Sequence, residues 1–138
     1  MNTMRITFLF VIALIATSTQ IKPLSVGRSC QSNSPLVVTS FQVTPYPPAA
    51  GSEMNITLTG IFSKVQYIYE LEAKTSYNGQ KYVSVFFPVN QTYPSGPIYY
   101  FPFNLKSGTL AGLYDVQVLL ESKKGTSISC WDFTYHIT

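Results

Sequence analysis

The chain has 138 residues and a formal net charge of +3 at pH 7; 11% of its residues are charged and 14% are aromatic. This length suits one folded domain. The aromatic, weakly charged composition excludes an intrinsically disordered chain, and the scattered lysines argue against nucleic-acid binding.

The first residues predict a secretory signal peptide over 1–18. Arg5 supplies a positive charge, an unbroken apolar run extends from Ile6 to Ala16, and Ala16 and Ser18 have the small-x-small spacing of a cleavage site. The run is shorter than the about 20 apolar residues of a transmembrane helix, although an uncleaved anchor is the alternative. We therefore expect a mature domain over 19–138 that is secreted or lies in the lumen of a lysosome-like compartment.

Short runs rich in β-formers, separated by Gly, Pro, Asn and Ser, predict an all-β domain of about seven antiparallel strands. The predicted strands are, in chain order, Leu36–Val43, Met54–Phe62, Val65–Ala73, Tyr82–Phe87, Ile98–Leu105, Gly112–Leu120 and Ser127–Ile137.

The second predicted strand has the clearest two-residue alternation, with Met54, Ile56 and Leu58 on one face and Asn55 on the other. Asn55 opens the tripeptide Asn-Ile-Thr, and Asn90 opens Asn-Gln-Thr. Both are acceptor sequences for N-glycosylation, which agrees with secretion. We predict glycans at these two asparagines.

The third predicted strand is assigned an inward face by the same alternation: Val65, Tyr67, Tyr69, Leu71 and Ala73. The Asn-Gly pair that follows at 78–79 predicts a hairpin turn. The inward side of Tyr82–Phe87 is undetermined because that run is apolar on both faces. Pro102 predicts that the next strand is an edge strand or contains a bulge.

In the last predicted strand, the apolar residues do not all fall on one face. Ile128 and Cys130 would lie on one face of a regular strand, and Trp131 and Phe133 on the other. Either a bulge intervenes or both faces are covered there.

The two cysteines, Cys30 and Cys130, predict one disulfide in an oxidising compartment. A closed loop of about 100 residues gives a stabilisation of about 4–5 kcal/mol in the chain-entropy treatment. Two buried free thiols are the alternative.

The sequence offers little for catalysis. The single histidine, His136, lies near the chain end, which is a poor place for a fixed base. Glu70 and Glu72 share a strand face, an arrangement that is ordinarily solvated surface. Acidic residues are spread out and the cysteines are predicted to be paired, so no metal-ligand cluster stands out. We expect no enzyme activity, no catalytic or metal site, and no cofactor.

Four short strings together resemble one family. Pro45–Gly51 (PYPPAAG) is similar to its P-x-P-P-x-x-G element, and Asn55–Gly60 to the strand that follows. Gly112–Val116 resembles its G-x-Y-x-V strand, and Ile128–Cys130 its closing I-x-C. This is the ML lipid-recognition family, which includes phosphatidylglycerol/phosphatidylinositol transfer proteins and the Niemann–Pick lysosomal sterol-binding protein. Pro94-Ser95-Gly96 stands where the family has a further cysteine.

The resemblance implies an immunoglobulin-like β-sandwich with an apolar pocket between its sheets. It also implies a monomer that binds a phospholipid such as phosphatidylglycerol or phosphatidylinositol, or a sterol, and transfers it through transient contact with membrane surfaces. Candidate wall residues, for which core packing is the alternative, are Phe62, Tyr67, Tyr69, Tyr114, Val116, Val118, Trp131 and Phe133.

Two other functions stay open. One is an immunoglobulin-like adhesion or receptor-binding module with a filled core. The other is a carbohydrate-binding sandwich that stacks sugars on Tyr46 or Tyr93.

Overall fold

The computed structural model describes residues 25–138, so the predicted signal peptide lies outside the described residues. Residues 25–138 form eight β-strands, and they contain no helix long and apolar enough to cross a membrane. The strands are β1 (Arg28–Ser29), β2 (Leu36–Thr44), β3 (Glu53–Phe62), β4 (Gln66–Tyr77), β5 (Val83–Tyr93), β6 (Ile98–Lys106), β7 (Gly112–Lys123) and β8 (Thr126–Ile137).

The strands form two antiparallel sheets that pack as a sandwich, which confirms the predicted fold class. The five-stranded sheet has the order β1-β8-β7-β4-β5, and the three-stranded sheet has the order β2-β3-β6. The seven predicted strands correspond to β2–β8. The two-residue β1, which pairs with the middle of β8, is too short to show an alternation.

The alternation read in β3 is confirmed by burial. Met54, Ile56 and Leu58 are buried, whereas Asn55 is exposed on the outer face. The turn after β4 is also confirmed, because Asn78 and Gly79 both have positive φ and the Gln80 N–H donates to the Tyr77 carbonyl. This is the backbone shape that favours Asn-Gly in tight turns.

The inward assignment of Tyr67 and Tyr69 is wrong. The register between β4 and β5 shifts between Ile68 and Glu70, and this bulge breaks the two-residue alternation. Ile68 and Leu71, three residues apart, both face the core, while Tyr67 and Tyr69 are 44% and 37% exposed.

The side of the sandwich formed by β2 and β8 is closed. Phe41 packs on Trp131 and Phe133 with ring centroids 5.8 and 5.4 Å apart. The Trp131 Nε1–H donates to the Val26 carbonyl, and the Val26 N–H donates to the Phe41 carbonyl. The N-terminal segment thus bridges the two sheets.

The predicted disulfide is confirmed. Cys30 and Cys130 are bonded, with their Cα atoms 5.0 Å apart. The buried Cys130 faces away from the Trp131 side of β8, so both faces of β8 are covered there, and a register shift also lies beside Ile128. Both explanations offered for the apolar residues on both faces therefore apply. A disulfide of this kind fits an extracellular or lumenal protein.

Candidate functional site: a cleft between two strand edges

The side of the sandwich opposite β2 and β8 is built from two edge strands. Among the described strands, β5 pairs only with β4 and β6 pairs only with β3. The two free edges face each other, since Phe87 of β5 and Phe103 of β6 have ring centroids 5.3 Å apart. Pro88 and Pro102 lie on these strands and lack the N–H that a ladder needs. No strand pairing joins the sheets along this side of residues 25–138.

A cleft of about 270 Å³ opens between these edges. Its floor includes Leu71, Phe101 and Phe103, which are buried core residues, so the cleft leads from solvent into the interior. The side chains that line it are Leu71, Phe87, Pro88, Val89, Gln91, Tyr93, Tyr100, Phe101, Pro102 and Phe103. None of these side chains carries a formal charge at neutral pH. The polar groups they offer are one amide and two phenolic hydroxyls.

One end of the cleft is packed by a cluster of four aromatic rings. Tyr93 lies 4.8 Å from Tyr99, 5.1 Å from Phe101 and 5.6 Å from Phe62, measured between ring centroids. Burial, with a smaller contribution from Tyr99, raises the pKa of Tyr93. A tyrosine hydroxyl is protonated at physiological pH in any case, so Tyr93 offers a neutral hydrogen-bond donor.

The far end of the sandwich is closed by the loop over residues 107–111. The Tyr77 hydroxyl donates to the Ala111 carbonyl, the Tyr114 hydroxyl donates to the Leu110 carbonyl, and the Tyr135 hydroxyl accepts from the Gly108 N–H. The rings of Tyr114 and Tyr135 stack with centroids 5.0 Å apart. Within residues 25–138, neither this loop nor the Val26 segment lines the cleft between β5 and β6.

A larger cavity, of about 610 Å³, lies beside β2 and is lined by Ser25, Val26, Gly27, Gln42, Val43, Thr44 and Tyr46. Its lining includes the buried Val43 as well as Val26, whose backbone hydrogen-bonds to Phe41 and to the Trp131 side chain at the closed side of the sandwich. It lies at the side of the sandwich that these contacts close, so we do not assign it as the site.

None of the eight predicted wall residues lines the cleft, and all except Tyr67 and Tyr69 belong to the buried core or pack against it. Phe62 belongs to the ring cluster, Val116 and Val118 are fully buried in the centre, Tyr114 lies at the closed end, and Trp131 and Phe133 lie at the closed side. Tyr67 and Tyr69 are on the outside.

The lining residues missed by the sequence lie mainly on β5 and β6. The alternation of β5 is hidden because both its faces carry apolar residues, as Val85 and Phe86 illustrate. The sequence signal that could have located the cleft is proline. Pro88 and Pro102 indicate that their strands are edge strands, and two facing edge strands leave a gap between the sheets.

The single histidine, the pair of Glu70 and Glu72, and the two sequon asparagines do not line the cleft. Across residues 25–138, no group of three or more His, Cys, Asp or Glu side chains is placed to hold a metal ion. His136 is exposed at the end of β8. Asn55 and Asn90 are both exposed, and glycosylation at these positions stays a prediction.

No family model matches the sequence, and no curated protein matches it. Solved structures do match the fold. A Niemann-Pick type C2 protein from the Japanese carpenter ant has a TM-score of 0.58 at 16% identity, covering 82% of this chain and 99% of that one. The C-terminal domain of wzt has a TM-score of 0.65 at 9% identity, covering 85% and 82%. Chicken MD-1 complexed with lipid IVa has a TM-score of 0.51 at 17% identity, covering 78% and 84%.

These similarities show a shared sandwich. One of the proteins that share it, the Niemann–Pick protein, belongs to the family that the sequence motifs resemble, and the C-terminal domain of wzt shares it as well.

Proposed function

We propose that the protein binds a lipid by placing its apolar part in the cleft between β5 and β6, and that it carries the lipid between membranes. The observation that carries this proposal is the cleft itself. Its lining carries no formal charge, seven of its ten lining side chains are apolar while polar atoms supply about half of its surface, and it reaches buried core residues where the sheets share no strand pairing. An apolar pocket with a few polar groups is typical of a small-molecule site.

The apolar character of the lining supplies the driving force. Each buried methylene contributes about 0.8 kcal/mol, so about ten methylenes contribute about 8 kcal/mol. A lipid tail loses a similar free energy when it leaves a bilayer. The two terms nearly balance, and a carrier of this kind takes up and releases lipid without an energy source.

The cleft must widen to hold a whole lipid tail. Its volume of about 270 Å³ is below the about 300–1,000 Å³ that is usual for ligand pockets. Contacts such as the Phe87–Phe103 ring pair, and not a backbone ladder, hold β5 and β6 together. Separating these edges therefore breaks ring packing without breaking strand pairing.

Two further observations support a lipid ligand and a lumenal setting. MD-1, which shares the sandwich, is described in complex with lipid IVa. The Cys30–Cys130 disulfide is typical of secreted proteins. We propose secretion through the signal peptide at 1–18, with the mature monomer reaching membranes outside the cytosol. Whether a phospholipid or a sterol is carried is the question that lipid extraction answers.

An adhesion or receptor-binding module is the second candidate, and one observation favours it. Val37 and Ile98 are 58% and 52% exposed on the outer face of the three-stranded sheet. Val37 and Ile98 both pair with Ile61 and form one apolar row. Exposed apolar patches are common at protein interfaces.

Native mass spectrometry with lipid extraction, on protein secreted by eukaryotic cells, tests the proposal. Val89→Trp adds a large ring to the cleft, and Val37→Trp makes the same change on the exposed outer face. We expect a stoichiometric lipid on the wild type and on Val37→Trp, and its loss from Val89→Trp. A wild type that purifies without lipid and takes up none from labelled vesicles would overturn lipid binding in favour of the adhesion module.

A further inference from the structure

We propose that Asn90 carries an N-linked glycan that stands at the rim of the cleft and restricts which surfaces can approach it. The glycan and its shielding of the rim stand independently of the lipid. The consequence for lipid uptake rests on the proposed function.

The rim position of Asn90 follows from its neighbours. Pro88, Val89 and Gln91 all line the cleft, and Asn90 lies between them on the free edge strand β5. Its own side chain turns to the outer side, where the Tyr67 hydroxyl donates to its Oδ1 over 3.2 Å. A sugar at this residue thus begins at the edge of the cleft without occupying it.

The chemistry of the side chain suits modification. Asn90 is exposed and opens the sequon Asn-Gln-Thr, whose Thr92 is also exposed. An N-linked sugar is attached to Nδ2, and the hydrogen bond from Tyr67 uses Oδ1. The folded environment of Asn90 is therefore compatible with a large hydrophilic substituent.

The backbone at Asn90 explains why asparagine is tolerated there. Asn90 has φ of +49°, in the left-handed region that Asn adopts more readily than most residues. It lies at the bulge where Ile68 pairs with Gln91 and Glu70 pairs with Pro88. Replacing Asn90 would disturb this bulge, so the sequon is best removed at Thr92.

A glycan at Asn90 would lie on the edge of β5, whose unpaired backbone groups can bind another strand. β5 is 11 residues long and, among the described strands, has a partner on one side only. Unpaired edges of this length attract other strands unless something blocks them. A bulky, solvated sugar blocks another chain or a bilayer from lying flat against β5, while small molecules still reach the cleft.

The test uses protein secreted by eukaryotic cells, in the forms wild type, Thr92→Ala and Asn55→Gln. Asn55 lies on the outer face of the other sheet, in ordinary strand pairing with Thr44 and Asn104, so its loss removes a sugar without touching the rim. Glycopeptide mass spectrometry should find the sugar on Asn90 in the wild type and in Asn55→Gln, and not in Thr92→Ala.

Shielding is measured without any lipid. Gln91→Cys keeps the sequon and places a thiol beside Asn90. In this background a bulky polyethylene glycol maleimide should react about fivefold more slowly than in Gln91→Cys/Thr92→Ala, because the glycan is large. A small maleimide should react equally with both. An unmodified Asn90, or equal rates with the bulky reagent, would overturn the proposal.

Lipid uptake from labelled vesicles is the final readout. We expect Thr92→Ala to take up lipid about threefold faster than wild type, since a bilayer is a large surface that the glycan holds off, and Asn55→Gln to match wild type. Equal uptake by Thr92→Ala and wild type would overturn restricted lipid access. If no form takes up lipid while the maleimide result holds, the proposed function fails and the shielding glycan stands.

Discussion

The rings of Phe87 on β5 and Phe103 on β6 face each other with centroids 5.3 Å apart and planes at 49°. They join the two sheets on the side where no strand pairing does so in the described chain. The pair is therefore both a part of the core and the contact that must part when the cleft widens.

Phe87→Ala tests this double role. Phe87 is half-buried, so we expect a loss of about 2 kcal/mol in the free energy of unfolding, below the about 3–5 kcal/mol of a fully buried Phe. Lipid exchange should become faster because the ring contact is absent. Urea unfolding and vesicle exchange measure the two effects.

Phe86→Ala is the matched control for that experiment. Phe86 is the preceding residue and is 51% exposed, so we expect a change within about 0.5 kcal/mol, as at surface sites. Equal losses in the two variants would show that Phe87 does not join the sheets.

The alternation of apolar residues and the turn residues predicted most of the strands of this fold, but few of the residues that line the cleft. The alternation in β3 correctly separated Met54 from Asn55, because that strand is regular along its length. The same reasoning misplaced Tyr67 and Tyr69, because the bulge opposite them depends on the left-handed Asn90 of another strand. Which residues line the cleft depends on which two strands become edges, and that is decided by pairing across the whole chain.

The Cys30–Cys130 disulfide should dominate the stability of the domain. The two cysteines are 100 residues apart, and the chain-entropy treatment gives about 4–5 kcal/mol for a loop of about that length. We expect the double variant Cys30→Ala/Cys130→Ala to lose most of this amount in urea unfolding. An unchanged unfolding midpoint would show that the bond adds nothing beyond the bridge that Trp131 and Val26 already make.

Glu121 should make the domain less stable as the pH rises. Burial raises the pKa of Glu121, the carboxyl groups of Glu70 and Glu72 raise it further, and a hydrogen bond from the Gly125 N–H to its Oε2 opposes them. The folded state thus holds this proton more tightly than the unfolded state. The stabilisation from protonated Glu121 is fully present at pH values below the pKa of this carboxyl in the unfolded state. It is lost as the pH rises through the higher pKa of Glu121 in the folded state.

Glu121→Gln keeps an acceptor for the Gly125 N–H and cannot ionise. We expect this variant to be more stable than wild type at neutral pH and to show a flatter dependence of the unfolding midpoint on pH. Glu53→Gln removes an exposed carboxylate from the other sheet and controls for net charge. Parallel pH curves for wild type and Glu121→Gln would contradict the assignment.

Gly108 should be irreplaceable at the closed end of the sandwich. A Cβ atom at Gly108 would lie 2.0 Å from the ring of Tyr114, and that ring is stacked on Tyr135, whose hydroxyl accepts from the Gly108 N–H. Neither the ring nor the loop can yield without breaking these contacts. We expect Gly108→Ala to lower the free energy of unfolding by about 3 kcal/mol, the upper range for overpacking.

Gly125→Ala separates this collision from the general effect of replacing a glycine. Gly125 has φ of +77°, and no heavy atom lies within 4 Å of the position that an alanine Cβ would take, so its replacement should cost about 1 kcal/mol for the left-handed backbone alone. Urea unfolding of the two variants gives the difference. If Gly108→Ala were no worse than Gly125→Ala, the loop over 107–111 would have room to move, and the far end of the sandwich would be a second route into the core.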